Sequence, residues 1–282
     1  MLLELAIGDA YGAGFEYVDR DYIAQFNDLS RYVKHPRHSI IPGCYTDDTQ
    51  MSLAIAEMLV NDVPWTPINL ASHFVDAFKR DPREGYAGRF YEFLCSVDSG
   101  EQFLEKIIPK SDKSGAAMRA APLGVLPTID EVLEKAHVQA AVTHDTPDGI
   151  HAAMAAALMT HYFIYDLGAK QHLGQFLAEH VPGDWAIPWQ GKVKAQGWMS
   201  VRAGITAVET HDNLSDMLRG CVNYSGDVDT VATIALAAAS CSKEVENNLP
   251  QHLILSLENG TYGREYITRL DRELMALVKS DE

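Results

Sequence analysis

The sequence predicts an all-α fold, and three observations predict it. Helix starts are marked by hydroxyl caps, apolar residues recur at helical spacing in alanine-rich runs, and alternating Val/Ile/Thr segments joined by Asn-Gly turns are scarce. No Gly/Ser- or Pro-rich linker and no internal repeat divides the 282 residues, so residues 1–282 are expected to form one compact helical domain.

Taken in order along the chain, Thr49 is expected to open a helix in which Met51, Ala54, Ile55, Met58 and Leu59 share an apolar face. Thr66-Pro67 places a capping hydroxyl before a proline at the first helical position, where the missing N–H is no loss. Thr128-Ile129-Asp130-Glu131 has the form of a capping box opening a helix over Ile129–His144. Thr146-Pro147 repeats the Thr-Pro start. Residues 183–197, with Pro188, Trp185 and Trp189, read as an ordered loop and a candidate border of a cleft. Residues 263–279 are expected to be helical, with Tyr266, Leu270, Leu274 and Leu277 along one side.

Composition excludes several function classes. With 23 Lys+Arg against 39 Asp+Glu the net charge is −16, and a field of that sign repels nucleic-acid phosphate and anionic membranes. At 47% apolar and 22% charged the chain lies in the globular range. The most apolar stretches, 152–165 and 231–241, fall short of the ~20 residues a bilayer span needs, and the first residues carry no basic, cleavable leader. A soluble, cytoplasmic, monomeric protein is expected. Cys44, Cys95, Cys221 and Cys241 form no CxxC pair and are expected to be small buried or half-buried thiols.

The acids are not evenly spread. Asp9 and Glu16 lie in a glycine-rich opening, Gly8-Asp9-Ala10-Tyr11-Gly12-Ala13-Gly14-Phe15-Glu16. Two further clusters, Thr46-Asp47-Asp48-Thr49 and Asp227-Val228-Asp229-Thr230, each lead into an apolar helix. Asp and Thr at a helix start cap orphan N–H groups, and solvated caps are the plain reading. One cap needs one such residue, however. Paired carboxylates flanked by hydroxyls are also the donor set of hard cations such as Mg²⁺ and Mn²⁺, whose charge relieves the repulsion. Two such clusters meeting in space could hold two ions.

Two segments look like ligand contacts. Ser114-Gly115, preceded by Lys113, is a small-residue turn before a helical stretch and suits a phosphate. His144 in Thr143-His144-Asp145-Thr146-Pro147 sits at a corner between helices, where a ligand contact competes with a structural role.

Taken together and in order, these segments resemble the ADP-ribosylglycohydrolase family, which includes the dinitrogenase-reductase-activating glycohydrolases. The resemblance rests on the GD-x-x-G…E pattern at 8–16, YTDDTQM at 45–51, SGAAMR and Pro-Leu-Gly at 114–124, TH-x-x-P at 143–147 and GD-x-DT at 226–230. It implies an all-α fold with a cleft holding two divalent cations, Mg²⁺ or Mn²⁺. It implies that Thr46, Asp47 and Asp48 serve one ion and Asp227, Asp229 and Thr230 the other. Glu16 and Asp48 are implied nearest the chemistry, with Asp9 fixing the local fold. Gly85, Tyr86, Ser114, Gly115 and His144 are implied to contact the substrate. The implied activity is hydrolysis of the ribosyl glycosidic bond of an ADP-ribosylated protein or small ADP-ribose conjugate, with arginine-linked substrates preferred and serine-linked ones the alternative.

The sequence also departs from the family pattern. Lys113 stands where a glycine is usual. Leu236 and Ser240 stand where glycines let helices approach closely, so the packing there is expected to differ. Residues 86–88 lack an aspartate that some arginine-specific members carry. Two other readings compete: a metal phosphohydrolase built on His144-Asp145, which leaves the acid pairs unexplained, and an inactive ADP-ribose-binding or crystallin-like homologue, which would be expected to have lost ligands.

Overall fold

A computed structural model describes residues 1–278. Lys279, the last residue of the expected 263–279 helix, lies outside the described residues. Among the described residues there are fourteen α-helices: α1 (Leu2–Gly12), α2 (Arg20–Phe26), α3 (Asp47–Val60), α4 (Pro67–Arg80), α5 (Gly88–Cys95), α6 (Gly100–Lys106), α7 (Ile129–His144), α8 (Pro147–Ile164), α9 (Leu173–His180), α10 (Gly197–Thr210), α11 (Leu214–Asn223), α12 (Val228–Ala239), α13 (Gln251–Ser256) and α14 (Arg264–Met275). No strand forms among them; pairing is limited to four isolated bridges. None of the helices is long and apolar enough to cross a membrane.

The local signals act as written. Thr66 accepts from the Asn69 N–H at 3.4 Å, Thr128 from Glu131 at 3.2 Å and Thr146 from Gly149 at 3.1 Å. At Thr128 the box is only half made, because the reciprocal bond from the Glu131 side chain does not form. α3 begins at Asp47, two residues before Thr49, because its first turn is capped from outside. α14 buries Leu270 and Leu274 as expected, but the helix ends at Met275 and Leu277 turns out to solvent. Among the thiols, Cys221 is buried, Cys44 and Cys241 are half-buried and Cys95 is exposed.

At the centre lies α12, every residue of which is buried. It packs against α1, α10, α11 and α8. A helix of alanines in this position lets its neighbours come near, and α1 exploits that with glycine. A Cβ added at Gly8 would sit 2.7 Å from the Ala232 carbonyl oxygen, and one at Gly12 would run into the Asp229 backbone. Gly204 of α10 faces Ile234 and Ala235 at 3.6 and 3.8 Å. Leu236 and Ser240 therefore need not be glycines here: close approach to α12 is supplied by glycines on its partners.

One consequence is measurable. Gly8→Ala should cost about 1–3 kcal/mol in urea denaturation, since the clash is with backbone that cannot swing aside. Gly260→Ala, with open space around it, should stay within about 0.5 kcal/mol of the parent. Equal stabilities for the two variants would mean that α1 and α12 are not closely apposed.

Candidate active site

The site begins with a carboxylate that does no chemistry. Asp9, fully buried on α1, accepts four hydrogen bonds from the start of α3. Its partners are the Thr46 N–H at 2.9 Å, the Thr46 hydroxyl at 2.6 Å, the Thr49 N–H at 3.0 Å and the Thr49 hydroxyl at 2.6 Å. Thr46 is the N-cap of α3 yet makes no capping bond with its own side chain. Asp9 does that work from another helix. Asp47 and Asp48 are thereby released from the capping role. One oxygen of Asp48, Oδ1, is buried with no hydrogen-bond partner at all. The Thr46 hydroxyl has given its proton to Asp9, which leaves its lone pairs free.

The start of α12 is similarly organised. Asp227 is its N-cap but caps nothing; its carboxylate accepts from the Ser200 hydroxyl at 3.2 Å. Thr230 is buried on the first turn of α12, and the two acidic helix starts are near enough that Asp227 adds to the upward shift of Asp48. Glu16 reaches the same place from the segment after α1. One ligand oxygen each from Glu16, Asp227 and Asp229 lies within 4.8 Å of the others, a spacing that suits a shared cation. Asp47 and Asp48 stand outside that triad, on the α3 side.

The backbone at Glu16 is held by His35, which sequence patterns did not single out, and by Gly226 of the GD-x-DT segment. The His35 Nδ1 accepts from the Arg37 and His38 N–H groups at 3.1 and 3.0 Å, so its Nε2 carries the proton and donates to the Glu16 carbonyl at 2.7 Å. The Tyr17 N–H donates to the Gly226 carbonyl at 2.8 Å. Gly226 has φ +96°, and a Cβ there would run into the Val193 carbonyl, so only glycine fits.

Six carboxyls thus crowd one place, and all are pushed above the usual carboxylate range. Burial is the largest cause for each. Asp47 is raised further by Asp9 and Glu16, Asp48 by Asp47 and Asp9, and Asp229 by Glu16 and Asp227. Glu16 is pushed up to about 7 by burial, then by Asp227 and Asp9. Hydrogen bonds pull Asp9 and Asp227 back only in part. An orphaned buried oxygen, free hydroxyl lone pairs and mutually repelling carboxylates fit hard divalent cations in chemistry and charge.

The remaining predicted contacts gather at the rim. Gly85, at φ +106°, lies against Thr46 and Asp47; a Cβ there would meet the Asp47 carboxylate. Tyr86 is buried, and its hydroxyl donates to the Gln50 Oε1 at 2.7 Å, so this turn offers a ligand backbone rather than the phenol. His144 faces Gly115, where a Cβ would stand 3.3 Å from its Nε2. The loop at 183–197 ties both sides together. Val193 pairs with Ser225 and Asp227 at 3.0 and 3.2 Å, and the Ser114 N–H donates to the Ala195 carbonyl at 3.0 Å. That loop borders the site, while Trp185 is buried and bonded to the Val181 carbonyl at 3.0 Å.

Comparison with known proteins gives the family. The family model described as ADP-ribosylglycohydrolase matches residues 1–282. The ADP-ribosyl-[dinitrogen reductase] glycohydrolase of Rhodospirillum rubrum is 25% identical over 258 residues, covering 87% of this chain and 85% of that protein. ADP-ribosylhydrolase ARH3 of Xenopus tropicalis is 28% identical over 189 residues, covering 62% of this chain and only about half (53%) of that protein. A solved structure titled ADP-ribosylglycohydrolase-related protein complex superposes with a TM-score of 0.73 at 22% identity, over 99% of this chain and 96% of that one. The chain belongs to the ADP-ribosylglycohydrolase family.

The raised carboxyls give a signed pH dependence. A carboxyl whose folded pKa exceeds its unfolded value stabilises the fold below the unfolded pKa and loses that contribution as pH rises through the folded one. For Glu16 the window runs from 4.5 to about 7. With a chelator present, Tm should therefore fall as pH is raised through that window, and Mg²⁺ or Mn²⁺ should restore it, most strongly at the upper end. A Tm that rises with pH in chelator, or ignores both ions, would contradict the clustered-carboxylate site.

Proposed function

We propose, from membership of that family, that the protein hydrolyses the ribosyl glycosidic bond of ADP-ribosylated substrates in a divalent-cation-dependent reaction, releasing ADP-ribose. The observation that carries this is Glu16 lying within 4.8 Å of Asp227 and Asp229 at the meeting point of two acidic helix starts. Thr46, Asp47 and Asp48 would hold one Mg²⁺ or Mn²⁺, and Asp227, Asp229 and Thr230 a second. When bound, these ions supply the positive charge that holds ribose hydroxyls and makes water a nucleophile at neutral pH.

The chain's own groups do the rest. Cleavage passes through an oxocarbenium-like transition state, whose positive charge is favoured beside carboxylates. Glu16, lifted to about 7, is poised to exchange a proton near neutrality, and the His35 bond to its carbonyl holds its backbone in place. Asp48 offers an unpaired oxygen on the opposite side of the cluster. Ser114 and Gly115 form the turn that would cradle the ligand's phosphates, held by the Ser114 N–H on the Ala195 carbonyl. Asp9 spends its four hydrogen bonds on α3 and acts by keeping that helix start in place.

Arginine-linked ADP-ribose is the preferred substrate, since an acidic surround favours a cationic leaving side chain. Serine-linked ADP-ribose is the second reading, favoured by the lack of an acid at Tyr86, Ala87 and Gly88.

The experiment is a panel of proteins mono-ADP-ribosylated through arginine or serine, assayed with Mg²⁺ and with Mn²⁺. Free ADP-ribose should appear from the arginine-linked substrate. Glu16→Gln should lower kcat by about 10²–10⁴-fold with KM little changed, and Asp229→Ala should lose turnover while staying folded. Release from serine alone would reverse the substrate preference; no release from either, or a fully active Asp229→Ala, would sink the assignment.

A further inference from the structure

Behind the Ser114–Gly115 turn lies a buried cation without a carboxylate. Arg119 is 1% exposed, and among the described residues no carboxylate stands within ion-pair distance of it. Its guanidinium rests over the Phe74 ring at 4.2 Å. Nε–H donates to the Gln139 Oε1 at 2.7 Å, and Nη2 donates to the Gln139 carbonyl at 2.9 Å and to the Thr143 Oγ1 at 2.8 Å. An uncompensated buried charge is costly, and core packing alone does not call for one.

The next bond suggests its use. The Thr143 Oγ1 lies 2.6 Å from the His144 Nδ1. A guanidinium can only donate, so the Thr143 oxygen accepts from Arg119; its own proton has His144 Nδ1 as its one acceptor among the described contacts, and donating there leaves no buried hydroxyl proton unpaired. The Nδ1 is then the acceptor and the imidazole proton stands on Nε2. That Nε2 is buried and has no partner. It is also aimed at the turn, since a Cβ on Gly115 would lie 3.3 Å from it and 3.1 Å from the Cε1. His144 itself is 6% exposed.

We propose that Arg119 and Thr143 are positioning residues that lock His144 as the neutral Nε2–H tautomer, so that one unpaired donor faces an anionic phosphate group seated at Ser114–Gly115. The phosphate in this statement rests on the function proposed above; the tautomer lock does not. Burial, and then the charge of Arg119, pull His144 down to about 3, which keeps the ring neutral at physiological pH. Burial also lowers Arg119, but only to about 9, so it stays charged. A donor polarised by a cation two bonds away, yet carrying no full charge itself, can hold a phosphate oxygen and release it afterwards.

The lock is read directly by ¹⁵N NMR of protein labelled at histidine, at neutral pH without ligand. The His144 resonances should report a proton on Nε2 and none on Nδ1, and the ring should stay neutral down to the acid limit of the fold. Thr143→Ser should preserve that signature. Thr143→Val should move proton population onto Nδ1 and weaken ADP-ribose binding by about tenfold, the loss of one hydrogen bond to a charged group. His144→Gln tests the donor itself and should weaken ADP-ribose to a similar degree. An Nδ1–H or doubly protonated His144 in the parent protein overturns the lock without any variant. Unchanged tautomer and affinity in Thr143→Val overturn the relay. If the parent shows the Nε2–H signature but does not bind ADP-ribose, the phosphate and the proposed function fall while the lock stands.

Discussion

The Asp9 carboxylate is the interaction on which the rest of the site depends. It is a buried charge whose four hydrogen bonds all end on the first turn of α3. Leaving even one such donor unpaired in the interior costs about 1–3 kcal/mol, so α1 and the start of α3 are held as a unit. The neighbouring glycines look the other way. Gly8 and Gly12 press α1 against α12 until the Asp229 backbone lies where a side chain would be. Asp9 therefore ties α1 to one acidic helix start while the glycines tie it to the other. The short pattern from Gly8 to Gly12 is a hinge plate between the two halves of the acid cluster.

This arrangement explains how so much like charge is assembled. Each capping oxygen that Asp9 provides is one that Asp47 and Asp48 need not provide. Asp48 is buried with one oxygen unpartnered, and Asp47 is half-buried against Gly85. Burial then raises all six acids, and mutual repulsion raises most of them further. Such a centre favours a bound cation over bare carboxylates, so an ion held there would stabilise the fold as well. The helix dipoles at the starts of α3 and α12 contribute a smaller positive field in the same direction.

The Ser114–Gly115 turn and the acid cluster are joined by residues 183–196, which form no helix. They hydrogen-bond on one side to Ser225 and Asp227 and on the other to Ser114. A ligand spanning the two regions would thus rest against one continuous wall. Thr143 and His144 end α7 and Arg119 lies in the turn after Ser114–Gly115, so none of the three is on a helix that carries an acid of the cluster. In the proposed function, recognition of the ligand's anionic part and chemistry at its sugar would therefore fall to separate elements.

How far the site was legible depended on whether its cause was local. The helical class, the Thr66, Thr128 and Thr146 caps and the three acidic segments are properties of neighbouring residues, and caps and spacings act within a turn or two. Their ordered resemblance to one family carried the fold and the hydrolase class. What local pattern could not reveal is whether the Asp47 and Asp48 carboxylates cap or bind, because the answer lies in Asp9, 37 residues from Thr46. The same holds for α3 starting at Asp47, for the bond from His35 to Glu16 and for Arg119 lacking a counter-charge. Sequence by itself determined which oxygen and nitrogen atoms were available. Tertiary structure alone decided which of them were already spent on one another, because a hydrogen bond between distant helices depends on their docking and leaves no periodic trace in either.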